Sequence, residues 1–480
     1  MTSDILPDDV LLEIFNFYVD EDIDGDFDPF NEQRIDEWIT LAHVCRRWRS
    51  IVFQSPNRLN LRVYCTPKTP VRDTLDIWPP LPLIICDADD ILDDEPSRVD
   101  NIIAALEHHG RMCQIDLVCL TSSQLEYVAN SSAMQKPFPE LTDLRLKTYY
   151  GPGPILPDSF LGGTAPRLRS LDLFSVPFPG LLKLLSSAIH LVSLDLRNVP
   201  RSGYIPPEAM AASFSALTSL KSLRLEFRYP PRPRPTPQSR LLLPLPLTRS
   251  ILPRLTEIRF KGGSEYLEEI LAQLDAPRLN KLHITFFNQI IFDMPQLSQF
   301  VSRSSTLRTS EKGYIRFGSK AIIVKFPSQT SNYDVLSLEI LCTASDWQLS
   351  SIEQVCTSSC PPISTLEDLY IFGDRRYPPH WQDDVKNTLW LDLLRPFVAV
   401  KNLYLPIELA LRIAPALQEL VGGRTTEVLP TLENIFLEVW NPPHEGIKMF
   451  VAARRLTTHP VAISHWNRNS ELDTLGDLYF

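Results

Sequence analysis

The chain has 480 residues, a formal net charge of −11 and 44% hydrophobic residues. That length can bury one large core or several, and that apolar content excludes wholesale disorder. The negative charge argues against a nucleic-acid binder held by phosphate contacts, and no charge-free apolar run reaches the length of a membrane span. The N-terminus is acidic and lacks the basic-then-apolar pattern of a secretory signal. Eight cysteines, thinly spread, read as buried thiols in a reducing compartment, so the expected location is cytoplasmic and/or nuclear.

The first predicted elements are two short amphipathic helices. Val10, Leu11, Ile14 and Phe15 fall on one face of a 3.6-residue repeat. Pro7 suits the first turn, and Asp8 and Asp9 favour the positive end of the helix dipole. In the second stretch Leu41, Val44, Cys45 and Trp48 form the apolar seam, with Arg46, Arg47 and Arg49 off it, before Ser55-Pro56-Asn57 breaks the helix. A plain helical cap on a repeat array is one reading of this pair.

The Leu6-Pro7 opening, the Val10/Leu11/Ile14/Phe15 face and the Leu41…Val44-Cys45-Arg46-Arg47-Trp48 closing helix together resemble an F-box over residues 3–57. The similarity is to fungal F-box proteins, which often lengthen the link between the helices. Here that link, Asp20 to Trp38, is an acidic insertion that reads as a solvated loop. The family docks these helices onto a Skp-type adaptor, which joins them to a cullin–RING ubiquitin ligase. The resemblance therefore implies adaptor contacts from Leu6, Pro7, Val10, Leu11, Ile14, Phe15, Leu41, Val44, Cys45 and Trp48.

Residues 58–108 read as a connecting and capping region. Leu59/Leu61/Val63 alternates like a strand, Trp78 to Ile85 reads as a rigid turn into another, and Asp87 to Glu95 as a solvated acidic loop. From residue 109 to 480 an apolar-x-x-apolar-x-apolar signature recurs. Met112/Ile115/Leu117 is a degenerate first copy. Clear ones follow at Leu141/Leu144/Leu146, Leu168/Leu171/Leu173, Leu191/Leu194/Leu196, Leu220/Leu223/Leu225, Leu255/Ile258/Phe260 and Leu279/Leu282/Ile284. Later copies are Val335/Leu338/Ile340, Leu366/Leu369/Ile371, Val400/Leu403/Leu405 and Leu432/Ile435/Leu437. Several carry a proline lead-in, as in Ala165-Pro166-Arg167-Leu168, which is expected to end a helix and start an extended segment.

This pattern resembles an irregular leucine-rich repeat, at ragged intervals and mostly without the usual Asn. The expected fold class is α/β: an all-α F-box at 1–57 followed by a curved solenoid of parallel strands and helices. A doubly wound α/β fold is the competing architecture. Two inserts interrupt the order. Residues 229–246, rich in proline and arginine, read as a loop between repeats or a polyproline ligand. Residues 313–327 read as a β-hairpin, either inserted or a distorted repeat.

No Gly-rich phosphate loop, His-Glu-x-x-His or Gly-x-Ser-x-Gly motif is present. Cys356 and Cys360 lack a second pair at zinc spacing, so neither metal nor cofactor is expected. The residues interleaved with the signature point to the concave face. That nominates Arg145, Asp172, Phe174, Arg197, Arg224 and Arg259, then Tyr370, Phe372, Tyr404 and Phe436, as target-binding residues on a face that turns from charged to aromatic. The expected function is a non-catalytic substrate receptor of a cullin–RING ubiquitin ligase, with an unknown protein target. A repeat scaffold uncoupled from ubiquitination is the alternative.

Overall fold

The computed structural model describes residues 6–19, 37–54, 63–66, 71–72, 75, 81–87, 96–149, 151, 153–230, 249–288, 292–308, 310–327, 334–342, 344–359, 361–379, 385–438, 444–457 and 459–467. Most of the acidic link and most of the proline-rich insert lie outside this set. The chain forms two compact units, Met1–Ile205 with Ala216–Leu220, and Pro206–Ser215 with Lys221–Phe480.

The first unit opens with helices α1 (Asp8–Val19), α2 (Glu37–Val44) and α3 (Arg46–Gln54). The single second helix expected from the sequence is thus two. Cys45 separates them, and its Sγ accepts the Trp48 N–H at 3.4 Å, capping the start of α3 as a serine would. Six strands follow: β1 (Val63–Cys65), β2 (Leu83–Cys86), β3 (Met112–Leu117), β4 (Asp143–Lys147), β5 (Ser170–Phe174) and β6 (Ser193–Val199). All pair in parallel and in chain order. The region 58–108 therefore supplies two strands of the repeat sheet as well as the helix Pro96–Leu106.

The second unit carries β7 (Ser222–Phe227), β8 (Ser250–Ile251), β9 (Glu257–Gly262), β10 (Leu274–Asp275) and β11 (Lys281–Phe286). It continues with β12 (Lys312–Phe317), β13 (Ala321–Pro327), β14 (Asp334–Leu341), β15 (Asp368–Gly373), β16 (Asn402–Leu405), β17 (Asn434–Leu437) and β18 (Ala462–His465). Its main sheet runs β7-β9-β11-β14-β13-β12-β15-β16-β17-β18, while β8 and β10 form a separate parallel pair. The expected hairpin is β12–β13, and it is built into the sheet. β13 runs antiparallel to both neighbours, so β14 stays parallel to β11 and β12 parallel to β15. The strand β18 carries no copy of the signature and was not expected.

The proline lead-ins form tight turns, not extended segments. The N–H of Leu141, Leu168, Leu255, Leu279 and Leu432 each bonds to the carbonyl three residues back, at 3.1–3.3 Å, which places proline where a β-turn favours it. The turn delivers the first signature leucine inward, and those five are fully buried. Each such leucine contributes roughly 2 kcal/mol relative to exposure. Successive repeats are then tied by one carbonyl that accepts two N–H groups of the next. The Thr142 carbonyl takes those of Arg169 and Ser170, and Lys401 those of Glu433 and Asn434.

One buried cation fastens the last of these turns. Arg454, fully buried in the helix Glu445–Arg454, donates to the carbonyls of Thr425, Leu429, Pro430 and Leu432 at 3.0–3.3 Å. Leu429 sits there at φ 47°, a left-handed conformation that a branched residue keeps only when its surroundings impose it. Arg454→Met removes all four of these hydrogen bonds, while the Leu429 carbonyl keeps the Leu432 N–H. The substitution is expected to lower stability by about 2–4 kcal/mol, read as a fall in the urea midpoint.

Candidate functional site

The three N-terminal helices share a small core. Leu11, Leu12, Phe15, Leu41, Ala42, Ile51 and Val52 are buried, and the Phe15 ring lies 4.8 Å from Trp48. Arg47 closes the group by donating to Asp8 Oδ1 and to the Leu6 carbonyl, both at 2.6 Å. Of the ten nominated adaptor contacts, Leu11, Phe15 and Leu41 are consumed by this core. Cys45 and Trp48 are half-buried. Pro7 is exposed, as are Leu6, Val10, Ile14 and Val44, with Ile14 at 48% and Val44 at 59%. Val10 and Ile14, four residues apart on α1, share one helix face, and Leu6 precedes the helix.

On the open face of the first unit, parallel register sets Asp116, Arg145, Asp172 and Asp195 side by side. Asp172 and Asp195 are directly opposite, a pairing that repels unless neutralised. Arg197 supplies the neutralising charge. Its Nη2 donates to both Asp172 oxygens at 2.9 and 2.8 Å, and its Nε lies 3.0 Å from Asp195 Oδ1. Arg145 and Lys147 reach the same Asp172 carboxylate at 3.5 and 3.4 Å, and Arg145 also bonds Asp116 at 3.1 Å. Phe174 lies under the Arg197 guanidinium and 5.5 Å from the exposed Tyr149. Arg145, Asp172, Phe174 and Arg197 are therefore brought together.

Asp116 and Asp87 were not nominated by the sequence. Burial pushes the Asp116 carboxyl up despite the Arg145 and Lys147 cations. Asp87, expected in a solvated loop, is fully buried. Its carboxylate accepts the N–H groups of Val118, Cys119 and Leu120 at 2.7–3.0 Å, three donors released where β3 ends. Burial still pushes its pKa up to about 6.

In the second unit Arg224 and Arg259 face each other in register. Each turns to a carboxylate on its own strand, Glu226 at 2.7 Å and Glu257 at 2.5 Å, in opposite chain directions. Further along, register aligns Tyr314, Tyr370, Tyr404 and Phe436. Their rings stack at 4.7, 4.0 and 4.5 Å. Beside them Asn434 donates to Asn402 at 2.8 Å and Asn402 to Asp368 at 2.7 Å. The nominated Tyr370, Phe372 and Tyr404 are buried, and only Phe436 is half-exposed. Trp466, which follows β18, lies edge-on to Tyr370 at 5.8 Å and to Tyr404 at 5.4 Å. These tyrosines are a packed cluster, not a free surface. Trp466 gave no signal in the sequence because no repeat motif announces β18.

Among the described residues no group of three His, Cys, Asp or Glu side chains is placed to hold a metal ion, and no helix is long and apolar enough to cross a membrane. No family model matches the chain, and no curated protein matches it. Among solved structures, it is similar to the crystal structure of the leucine-rich repeat-containing protein LegL7 from Legionella pneumophila. Identity is 11%, over 82% of this chain and 97% of that one, with a TM-score of 0.24. At that score the likeness adds nothing to the strand–helix pattern itself.

Two measurements test these groups. Arg197→Ala is expected to lower stability by about 1–2 kcal/mol, between the surface and buried limits for ion pairs, with Asp195→Asn recovering part of the loss in the double variant. For Asp87, folded and unfolded chains both hold the proton well below pH 3.8. As the pH rises toward 6 the unfolded chain releases it first, so the native state loses stability. The stability of wild type relative to Asp87→Asn is therefore expected to fall by up to roughly 3 kcal/mol between pH 4 and 7, measured by urea denaturation at each pH.

Proposed function

We propose that this chain is the substrate receptor of a cullin–RING ubiquitin ligase, docking on a Skp-type adaptor through its N-terminal helices and holding a protein target on its repeats. The observation that carries the reading is the division of labour within the helical group. Its own core uses Leu11, Leu12, Phe15, Leu41, Ala42, Ile51 and Val52, yet Leu6, Val10, Ile14 and Val44 stay exposed. Apolar side chains left outside a completed core suit a helix-binding partner. In each unit the parallel strand–helix repeats supply an open sheet face, the arrangement by which repeat proteins hold other proteins.

In this role the chain holds its target and catalyses nothing. It brings the target close to the ligase's catalytic subunits, and proximity is its contribution to rate. It works in the cytoplasm or nucleus, where the ligase and reduced thiols coexist. The long acidic link between α1 and α2 favours a second reading, a repeat scaffold uncoupled from ubiquitination.

Co-purification of the full chain with a recombinant Skp-type adaptor tests the proposal. Wild type is expected to bind, and Val10→Asp with Ile14→Asp to weaken binding at least about ten-fold without lowering the melting temperature, because both sites are exposed. Absence of wild-type binding overturns the ligase reading. Adaptor binding without cullin recruitment favours the scaffold.

A further inference from the structure

We propose that β18 and Trp466 form a displaceable strap, and that the place they occupy takes an extended partner segment bearing an aromatic side chain. This deepens the target-holding role assigned above to the repeats and is independent of the N-terminal helices.

The strap is lightly held. β18 is the edge strand among the described residues, paired only with β17. Ala462 and His465 are exposed, and Ile463 and Ser464 half-buried. Beyond the backbone ladder, the buried anchors are Val461 and Trp466. Segments with few buried apolar contacts open locally, well below the free energy of global unfolding.

Trp466 also carries a strain of its own. It is only 7% exposed, yet its indole Nε1 reaches no acceptor among the described residues. A buried donor without a partner raises the energy of the closed state, and release into water recovers that cost. The indole packs against the flanks of Tyr370 and Tyr404, so the contact it gives up is aromatic and is replaceable by another aromatic ring.

Opening exposes two features together. One is the outer edge of β17, whose Glu433 carbonyl now accepts Ala462 N–H at 2.8 Å and whose Leu437 carbonyl accepts Trp466 N–H at 3.2 Å. The other is the ring stack of Tyr370, Tyr404 and Phe436. A partner strand added to that edge gains main-chain hydrogen bonds and presents alternate side chains to the rings. Val461-Ala462-Ile463-Ser464-His465-Trp466 is the chain's own template for such a ligand.

A fluorescein-labelled peptide of residues 461–466, titrated into the full chain by fluorescence anisotropy, tests the proposal. Full-length Trp466→Ala is expected to bind it at least about ten-fold more tightly than wild type, because the competing strap is weakened. The same peptide with Trp466→Ala is expected to lose that gain. Equal affinity for both proteins, or for both peptides, overturns the proposal. Hydrogen exchange on wild type guards against a misfolded variant: amides 462–466 are expected to exchange about a hundred-fold faster than those of β16 and β17. Exchange of all three strands at one rate makes β18 a fixed cap and overturns the proposal. Adaptor co-purification reads the N-terminal helices separately, so either result stands without the other.

Discussion

In-register parallel pairing is the constraint on which the rest of this protein depends. Each parallel strand meets its parallel neighbour at equivalent positions, so the side chains of one sheet face line up in rows. On the inner face this stacks leucine on leucine, as with Leu144, Leu171 and Leu194, all at most 1% exposed. On the open face the same rule sets equivalent positions opposite one another, as with Asp116, Arg145 and Asp172, and where they carry like charge it creates conflict. Asp172 meets Asp195, and Arg224 meets Arg259. The chain resolves the first with a bridging arginine one row over, and the second by turning each guanidinium toward its own strand.

Aromatic rows meet the constraint differently. Rings placed every strand spacing apart stack, and Tyr314, Tyr370, Tyr404 and Phe436 do so, with the last three rings nearly parallel at 9° and 8°. Such a stack is flat and apolar, and water is a poor cover for it. Trp466 provides a better one, edge-on, at the expense of an indole donor with no acceptor among the described residues. The charged rows stabilise by mutual compensation, while the aromatic row depends on a cover. That difference makes the second unit's face the one where occupancy matters.

The positions of β3 to β7, β9, β11 and β14 to β17 were legible in the sequence, because each needs only its own signature leucines and the turn before them. So was the β12–β13 hairpin, from alternation around Gly318-Ser319-Lys320. Its place inside the sheet was not legible, since that depends on the distant β14 pairing with both β13 and β11. The split at Cys45 escaped because a thiol cap leaves no mark in an apolar period. Asp87 and Arg454 escaped for a related reason. A carboxylate in an acidic run and a basic residue ending a helix look solvated until the backbone groups they bond come from residues 22 to 33 positions away.

The sequence by itself determined which residues alternate inward and which outward, since strand and helix periods are local properties of the chain. It determined the charged-to-aromatic order of the outward set in the same way. The tertiary structure alone decided which outward residues meet solvent. Leu11 and Phe15 share a helix with Val10 and Ile14, yet the first pair is sealed by α2 and α3 and the second is bare. Tyr370 and Tyr404 point outward like Arg145, yet Trp466 lies against them. Side-chain direction follows from the backbone one residue at a time, whereas burial depends on what a distant segment lays on top.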